Sequence, residues 1–199
     1  MADFVRTIIP NRASWPKFPT GLDSWGQSGK GQFRAMTQIG RTWEESYPPI
    51  KYDNANARKF FSYINQLFRN RTIFTISHYH LLTPVNTPIA GTIVVNGASQ
   101  TGSTLNVTST LDKILKHGDV ISIAGLNPIY DITADMAAPN ASSIAISPPI
   151  FAGGSPATGA AITITAVKFR AVLAENIQMP SADKNLVYVG LVLKFREVP

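Results

Sequence analysis

The feature that most constrains this chain is a charge-poor segment in the middle of a basic sequence. Leu82–Val167 carries two lysines and four aspartates, a net charge of −2. Met1–Leu81 carries 11 basic residues against 5 acidic ones, and Lys168–Pro199 carries 5 against 3. A composition that changes and then changes back is typical of one domain inserted into a loop of another. We therefore predict a first domain built from Met1–Leu81 plus Lys168–Pro199, and a second domain at Leu82–Val167.

The overall composition favours a protein that assembles with partners. Charged residues make up 15% of the 199 positions, against roughly 25% in typical soluble proteins. With ten Phe, six Tyr and three Trp, this indicates surface that is covered by partner subunits, although a small monomer with few surface charges is the alternative. The absence of cysteine excludes disulfides, thiol catalysis and cysteine metal sites.

Targeting signals and nucleic-acid motifs are weak. The N-terminus lacks the apolar region of a signal peptide, and no run approaches the ~20 apolar residues of a membrane span. We therefore expect no membrane span, and assembly in a cytoplasm. The net charge of +6 permits contact with nucleic acid. However, the basic residues are scattered along the sequence, and no cluster of them defines a groove.

The first domain is predicted to hold strands around one helix. Met1–Lys30, rich in proline and glycine, reads as an irregular arm that packs on its own domain or on a neighbouring subunit. Alternation predicts a strand from Gly31 to Ile39, a break at Gly40 and a second strand over Arg41–Glu45. Further β segments are expected at Thr72–Ile76, Phe169–Ala174 and Leu186–Phe195.

Helical spacing of apolar residues is clear over Asn54–Arg69. The side chains expected to face the core are Ala57, Phe60, Phe61, Ile64, Leu67 and Phe68. Asp53 or Asn54 is a suitable N-cap, because its side chain can accept a bond from an unpaired backbone amide.

The central segment reads as β structure throughout. Short β-branched stretches are separated by turn pairs such as Asn96-Gly97, Asn127-Pro128 and Gly153-Gly154. Five or six strands at this spacing predict a small barrel or sandwich. The expected strands are Thr92–Val95, Leu105–Val107, Asp119–Ala124, Ile129–Thr133, Ser143–Ser147 and Ala161–Thr165. Leu111–Lys116 is a candidate helical turn.

Candidate ligand-binding residues are few. His78 and His80 would share one side of a strand and offer two imidazoles to a metal. No third ligand is suggested nearby, so surface or interface histidines are the favoured interpretation. Ser28–Gln32 lacks the spacing of a phosphate-binding loop and reads as a turn.

Candidate catalytic residues are equally sparse. Glu44 and Glu45 would point to opposite faces of a strand. Asp119, Asp131 and Asp135 lie near turns and are predicted to cap them. No G-x-S-x-G elbow is present. We therefore predict no catalytic, cofactor-binding or metal-binding residues, and a protein that is not an enzyme.

The order of these segments is itself informative. A basic, aromatic arm is followed by Arg41–Pro48 (RTWEESYP), the helix, a β segment, the central block and a closing Leu191–Glu197 (LVLKFRE). The central block includes Val95–Gly102 (VNGASQTG), Lys116–Ile123 (KHGDVISI) and Ile146–Ile150 (ISPPI). This layout resembles minor tail proteins of tailed bacteriophages, in particular the distal tail, or baseplate hub, proteins of long-tailed phages.

The resemblance implies a fold and a role. The fold would be mainly β: a β-sandwich with one α-helix, carrying an inserted small β-barrel that is OB-like in some members. The role would be a structural virion protein in the tail, a hexameric ring that joins the tail tube protein to tail-tip and hub proteins. DNA would be a partner only by passing through the ring. The alternatives are a binding module whose barrel contacts host-surface carbohydrate, or another tail ring such as a tube terminator. With only Tyr130 and Phe151 as aromatic residues and two lysines, the insert is a poor candidate for single-stranded nucleic acid.

Overall fold

The computed structural model describes residues 3–5, 8–17, 22–25, 31–34, 40–51, 55–78, 80–174 and 187–198. Within them the chain divides into two compact units. Unit 1 comprises Met1–Ile76 and Arg170–Pro199, and unit 2 comprises Ser77–Phe169. The described residues are mainly β with one helix. The predicted fold class, a sandwich-like part with one helix and a barrel-like insert, is confirmed.

The elements are numbered along the chain. They are β1 (Arg12–Ala13), β2 (Leu22–Trp25), β3 (Gly31–Arg34), β4 (Thr42–Ser46), β5 (Ile50–Lys51), α1 (Ala55–Arg69), β6 (Phe74–Ser77), β7 (Ile93–Val95), β8 (Gly102–Ser109), β9 (Val120–Ile123), β10 (Ile129–Ile132), β11 (Ser143–Ile150), a 3₁₀ turn (Ala152–Gly154), β12 (Ile162–Thr163), β13 (Lys168–Leu173), β14 (Val187–Tyr188) and β15 (Val192–Glu197).

Unit 1 is built on a half-barrel sheet with the strand order β1-β4-β15-β13-β6. Residues alternate between its two faces, as period-two patterning requires. Trp43 on β4 stacks against Phe195 on β15, with ring centroids 5.3 Å apart and planes at 17°. Phe4 reaches the same core and meets Phe195 edge-on at 5.5 Å. Two short pairs, β5 with β14 and β2 with β3, complete the described strands of this unit.

Helix α1 covers the core side of unit 1. Its buried residues are Ala57, Phe60, Phe61, Ile64 and Leu67. Phe60 packs against Tyr47 at 5.2 Å between ring centroids, and Phe61 against Tyr188 at 5.0 Å. Phe68 is partly buried, so it lies at the margin of the predicted core face. The buried stripe ends one residue earlier, at Leu67. The proposed caps Asp53 and Asn54 lie outside the described residues.

Two local predictions for unit 1 need correction. The arm is not wholly irregular, because β1 pairs with β4 and β2 pairs with β3. Leu186–Phe195 is not one strand, because Gly190 at φ +80° separates β14 from β15. Residues 35–39 of the expected strand after Gly31, and Leu186, lie outside the described residues.

Unit 2 is a nearly closed barrel of six antiparallel strands, in the order β12-β9-β10-β11-β8-β7. The ends of this sheet meet. Val94 bridges Ala161, and the amide of Val95 donates to the carbonyl of Ala160 at 2.9 Å. An OB-fold has five strands, so this barrel has one more. Leu111–Lys116 forms bends rather than the suggested helical turn.

The barrel interior is lined from every strand. Its buried cluster is Ile93, Val95, Leu105, Val107, Leu111, Leu115, Ile121, Ile123, Tyr130, Ile132, Met136, Ile144, Ile146, Ile150 and Ile162. β-branched residues predominate, which suits a pleated and half-buried surface. The core therefore comes from the alternating positions that the sequence pattern marked.

Candidate interaction surface

The two histidines lie close together, with ring centroids 5.9 Å apart and ring planes at 52°, but they differ in burial. Strand β6 ends at Ser77; the alternation of burial continues to His78 but not to His80, so the two side chains do not share one side as expected. His78 is fully buried, whereas His80 is exposed. The amide of His80 donates to Nδ1 of His78 at 3.3 Å. Within the residues that the structure describes, no group of three or more histidine or acidic side chains is placed to hold a metal ion.

The neighbouring residues Glu44 and Glu45 lie in different environments. Glu45 points into unit 1, is fully buried, and accepts a hydrogen bond from the hydroxyl of Tyr47 at 2.9 Å. Glu44 points outward and lies 3.5 Å from the ammonium of Lys194. The alternation along β4 thus separates the two carboxylates, and they are not positioned to act as an acid–base pair.

Aspartates in unit 2 organise loops. Asp119 is buried and accepts the backbone amides of Val85 at 2.8 Å and Lys116 at 2.7 Å. Asp135 accepts the ammonium of Lys116 at 2.7 Å and the amide of His117 at 2.8 Å. The hydrogen bond from the Lys116 side chain, followed by that amide, holds the pKa of Asp135 below its usual range.

Two further candidates are placed differently from expectation. Asp131 lies inside β10, opposite Ser147 and Val120, and not at a turn. The glycine-rich Ser28–Gln32 falls mostly outside the described residues, and its last two positions begin β3.

A buried ionic contact escaped the sequence analysis. Arg41 is 1% exposed and Glu197 is 4% exposed. The amide of Arg41 donates to Oε2 of Glu197 at 3.1 Å, and Nε of Arg41 lies 3.8 Å from the same oxygen. Buried charges are costly unless they are paired, so this contact is structural. Nothing in the local sequence distinguishes Arg41 from a surface residue at the start of a strand.

The N-terminal segment, of which the structure describes residues 3–5 and 8–17, presents apolar side chains to solvent. Val5, Ile9 and Trp15 are 55%, 65% and 53% exposed. The backbone that carries them is fixed. The amide of Phe4 donates to the carbonyl of Thr75 at 2.7 Å, and the amide of Ser14 donates to the carbonyl of Glu44 at 2.8 Å. Single exposed apolar residues are ordinary, and contiguous apolar patches mark interaction sites, so this segment is a candidate interaction surface.

Of the two aromatic residues in the predicted insert, Tyr130 and Phe151, one is buried. Tyr130 is 3% exposed and belongs to the barrel core, while Phe151 is 46% exposed. Stacking sites for bases use several aromatic faces in succession. Among the described residues of unit 2, Phe151 is therefore the phenylalanine or tyrosine that is exposed to a ligand.

No protein-family model matches this sequence, and no curated protein is significantly similar to it. Among the described residues, no helix is both long and apolar enough to cross a membrane.

Proposed function

We propose that this protein is a structural, non-enzymatic subunit of a phage tail: a ring-forming distal tail protein that joins the tail tube to the tail tip. The observation that carries this proposal is the N-terminal segment, which displays Val5, Ile9 and Trp15 on a hydrogen-bonded backbone. A solvent-exposed tryptophan on a fixed backbone is suited to anchor a neighbouring subunit.

Ring formation follows from the kind of contact that such a segment makes. An arm of one copy that docks on a different surface of the next copy gives a head-to-tail interface, and such interfaces close into rings when the rotation allows. Six subunits are the number that the resemblance to distal tail proteins implies. The tail tube protein and the tail-tip proteins would contact the two sides of the ring, in a virion assembled in the host cytoplasm.

The confirmed architecture supports the proposal at the level of layout. A half-barrel sheet with one helix and a separate barrel-like unit is the arrangement expected of a distal tail protein. A carbohydrate-binding module receives less support, because Tyr130 is buried and Phe151 is the aromatic residue that the insert exposes. A tube-terminating ring is the remaining alternative within the same class.

The test is the assembly state of the full chain. Light scattering and native mass spectrometry across a dilution series, with negative-stain microscopy at the highest concentration, should show rings of six subunits. An Ile9→Ser/Trp15→Ser double variant should shift the population to monomers while its circular dichroism stays unchanged, because both side chains are exposed in the monomer.

A matched control comes from unit 2. Val85 is 71% exposed, so Val85→Ser removes a similar exposed apolar group outside the N-terminal segment and should leave the ring intact. A chain that is monomeric at every concentration and in the presence of its tail partners would overturn the proposal. An equal loss of assembly in the Val85→Ser variant would show that the N-terminal segment has no specific role in ring formation.

A further inference from the structure

The outward face of the five-stranded sheet in unit 1 gathers basic residues from four segments of the chain. We call it the outer sheet face. On β4, Trp43 and Glu45 point inward, so Thr42 and Glu44 point outward. On β15, Leu193, Phe195 and Glu197 are buried, and Lys194 and Arg196 lie on the other side. The same alternation on β13 buries Phe169 and Ala171 and turns Arg170 outward.

Strand register sets the spacing of these cations across the sheet. Arg196 lies opposite Thr42 on β4 and opposite Val172 on β13. Lys17 bridges the other side of Thr42, and Arg12 lies opposite Ser46 at the β1 edge. Directly paired residues share a face, and neighbouring strands are about 4.8 Å apart. Lys194 and Arg196 therefore lie two positions apart on β15, and Arg170 lies on the adjacent strand β13, whereas Lys17 and Arg12 are separated from β15 by β4.

Few described residues of this face oppose that charge. Glu44 pairs with Lys194 at 3.5 Å, but both side chains are about half exposed, at 51% and 41%. Such a pair is weak and screened by salt. Asp3 lies at the far edge, where the hydroxyl of Thr75 donates to its carboxylate. Nε of Arg170 is buried and makes no hydrogen bond within the part of the chain that the structure describes.

A depression of about 350 Å³ opens on the same face. It is bounded by Ser14, Lys17, Thr42, Glu44, Lys194 and Ala174. Its rim combines hydroxyl and ammonium groups, which can donate to phosphate oxygens, with the carboxylate of Glu44 and the methyl group of Ala174. Trp43 and Phe195 form its floor but are buried, so they offer no ring face for stacking.

We propose that the outer sheet face binds the phosphate backbone of double-stranded DNA without reading its sequence. Arginine, which supplies three of the five cations here, pairs with phosphate through two parallel hydrogen bonds. The outward positions of β4, β13 and β15 hold no asparagine or glutamine for base edges and no aromatic ring for unstacked bases, and Trp15 is exposed beside the β4 edge. The apolar residues at outward positions of β13 and β15 are Val172 and Val192, and an acidic protein partner is the competing occupant that the test distinguishes. The inference concerns the surface of a single subunit and does not depend on ring formation.

The test is fluorescence anisotropy with a short DNA duplex and the full chain over a range of salt concentrations. Neutralising three or four phosphates predicts a slope of roughly −3 to −4 for log K against log salt. An Arg170→Gln/Arg196→Gln variant should make that slope shallower by about 2 and weaken binding about a hundredfold at ~50 mM salt. Two unrelated duplexes should bind equally.

The control variant removes the same charge elsewhere. Arg58 and Lys59 lie on the exposed side of α1, so Arg58→Gln/Lys59→Gln lowers the net charge equally and should leave the slope nearly unchanged. Equal weakening by both double variants would show a net-charge effect and overturn the proposal. Tighter binding of a poly-glutamate peptide of matched charge would also overturn it, in favour of an acidic protein partner. Circular dichroism checks that both variants remain folded.

Discussion

Unit 1 and unit 2 bury an antiparallel sheet in two different ways. In unit 2 the sheet returns on itself, so its strands cover one another and the interior fills from alternating positions. In unit 1 the sheet stays open, and its core side is covered by α1 and by Phe4 of the N-terminal segment. Closure removes sheet edges, whereas an open sheet keeps a second face whose side chains are available for other contacts.

The same difference explains how charge is distributed. The aspartates of unit 2 are largely engaged with backbone amides: Asp119 holds two, and Asp112 accepts the amide of Ala90 at 2.7 Å. Unit 1 instead places Lys17, Arg170 and Arg196 on its open face. The carboxylates of the barrel are used to hold its own loops. The open sheet of unit 1 has a second face on which charged side chains can stand.

The largest change to the protein is the removal of most of unit 2. Replacing residues 82–167 by a short linker should leave α1 folded, because Phe60 packs on Tyr47 and Phe4, all within unit 1. The shortened chain should keep its helical circular dichroism and unfold cooperatively. Aggregation with loss of the helical signal would show that unit 1 depends on the barrel, and the comparison between independent units would fail.

Core truncations should destabilise one unit at a time. Phe60→Ala should cost about 3–5 kcal/mol in unit 1, and Ile121→Ala about 2–5 kcal/mol in unit 2, because both side chains are at most 1% exposed. Phe68→Ala should cost less, since Phe68 is half-buried. Arg58→Ala should change stability by about 0.5 kcal/mol or less. Calorimetry that resolves two transitions would show which one moves; a shift of both by a single substitution would contradict the division.

One glycine in each unit lies against the backbone of a neighbouring segment. A Cβ at Gly40 would lie 1.9 Å from the carbonyl oxygen of Glu197, and one at Gly91 would lie 2.2 Å from that of Thr110. Gly91 also has φ +100°, which side chains rarely adopt. Alanine at either position should cost about 1–3 kcal/mol or more. Gly153 faces open space at a negative φ, so Gly153→Ala should be neutral or slightly stabilising. Denaturant melts of the three variants decide this.

The smallest effect concerns acid sensitivity in unit 2. The pKa of Asp135 is lowered in the folded state by Lys116, so its contribution to stability is present near neutral pH and is lost as pH falls through the carboxyl range. Asp135→Asn and Lys116→Met should each make unit 2 slightly less sensitive to acid, while unit 1 is unchanged. The side chain of Asp135 is 49% exposed, which keeps the effect small. Thermal melts at neutral and acidic pH would measure it, and an identical acid response in all three proteins would contradict it.

Much of the architecture can be predicted from the sequence because it depends on local periodicity. The spacing of Phe60, Phe61 and Ile64 predicts α1, and alternation around Ile121 and Ile123 predicts a barrel strand. These patterns reflect burial of one face, and each can be read within a single element. Catalytic motifs with fixed local spacing can be searched for in the same way, and the sequence contains no G-x-S-x-G elbow.

Other features required the tertiary structure, because they join residues that are distant along the chain. The short strand β1 exists because β4 supplies partners for an arm rich in proline, and Arg41 is tolerated in the core because Glu197 lies beside it. Likewise Lys17, Arg170 and Arg196 look scattered in the sequence and share a face only through the register of β4, β15 and β13. Local patterning therefore predicts which residues face a core, whereas the neighbours of each charged side chain depend on strand pairing, because register is set between segments and not within them.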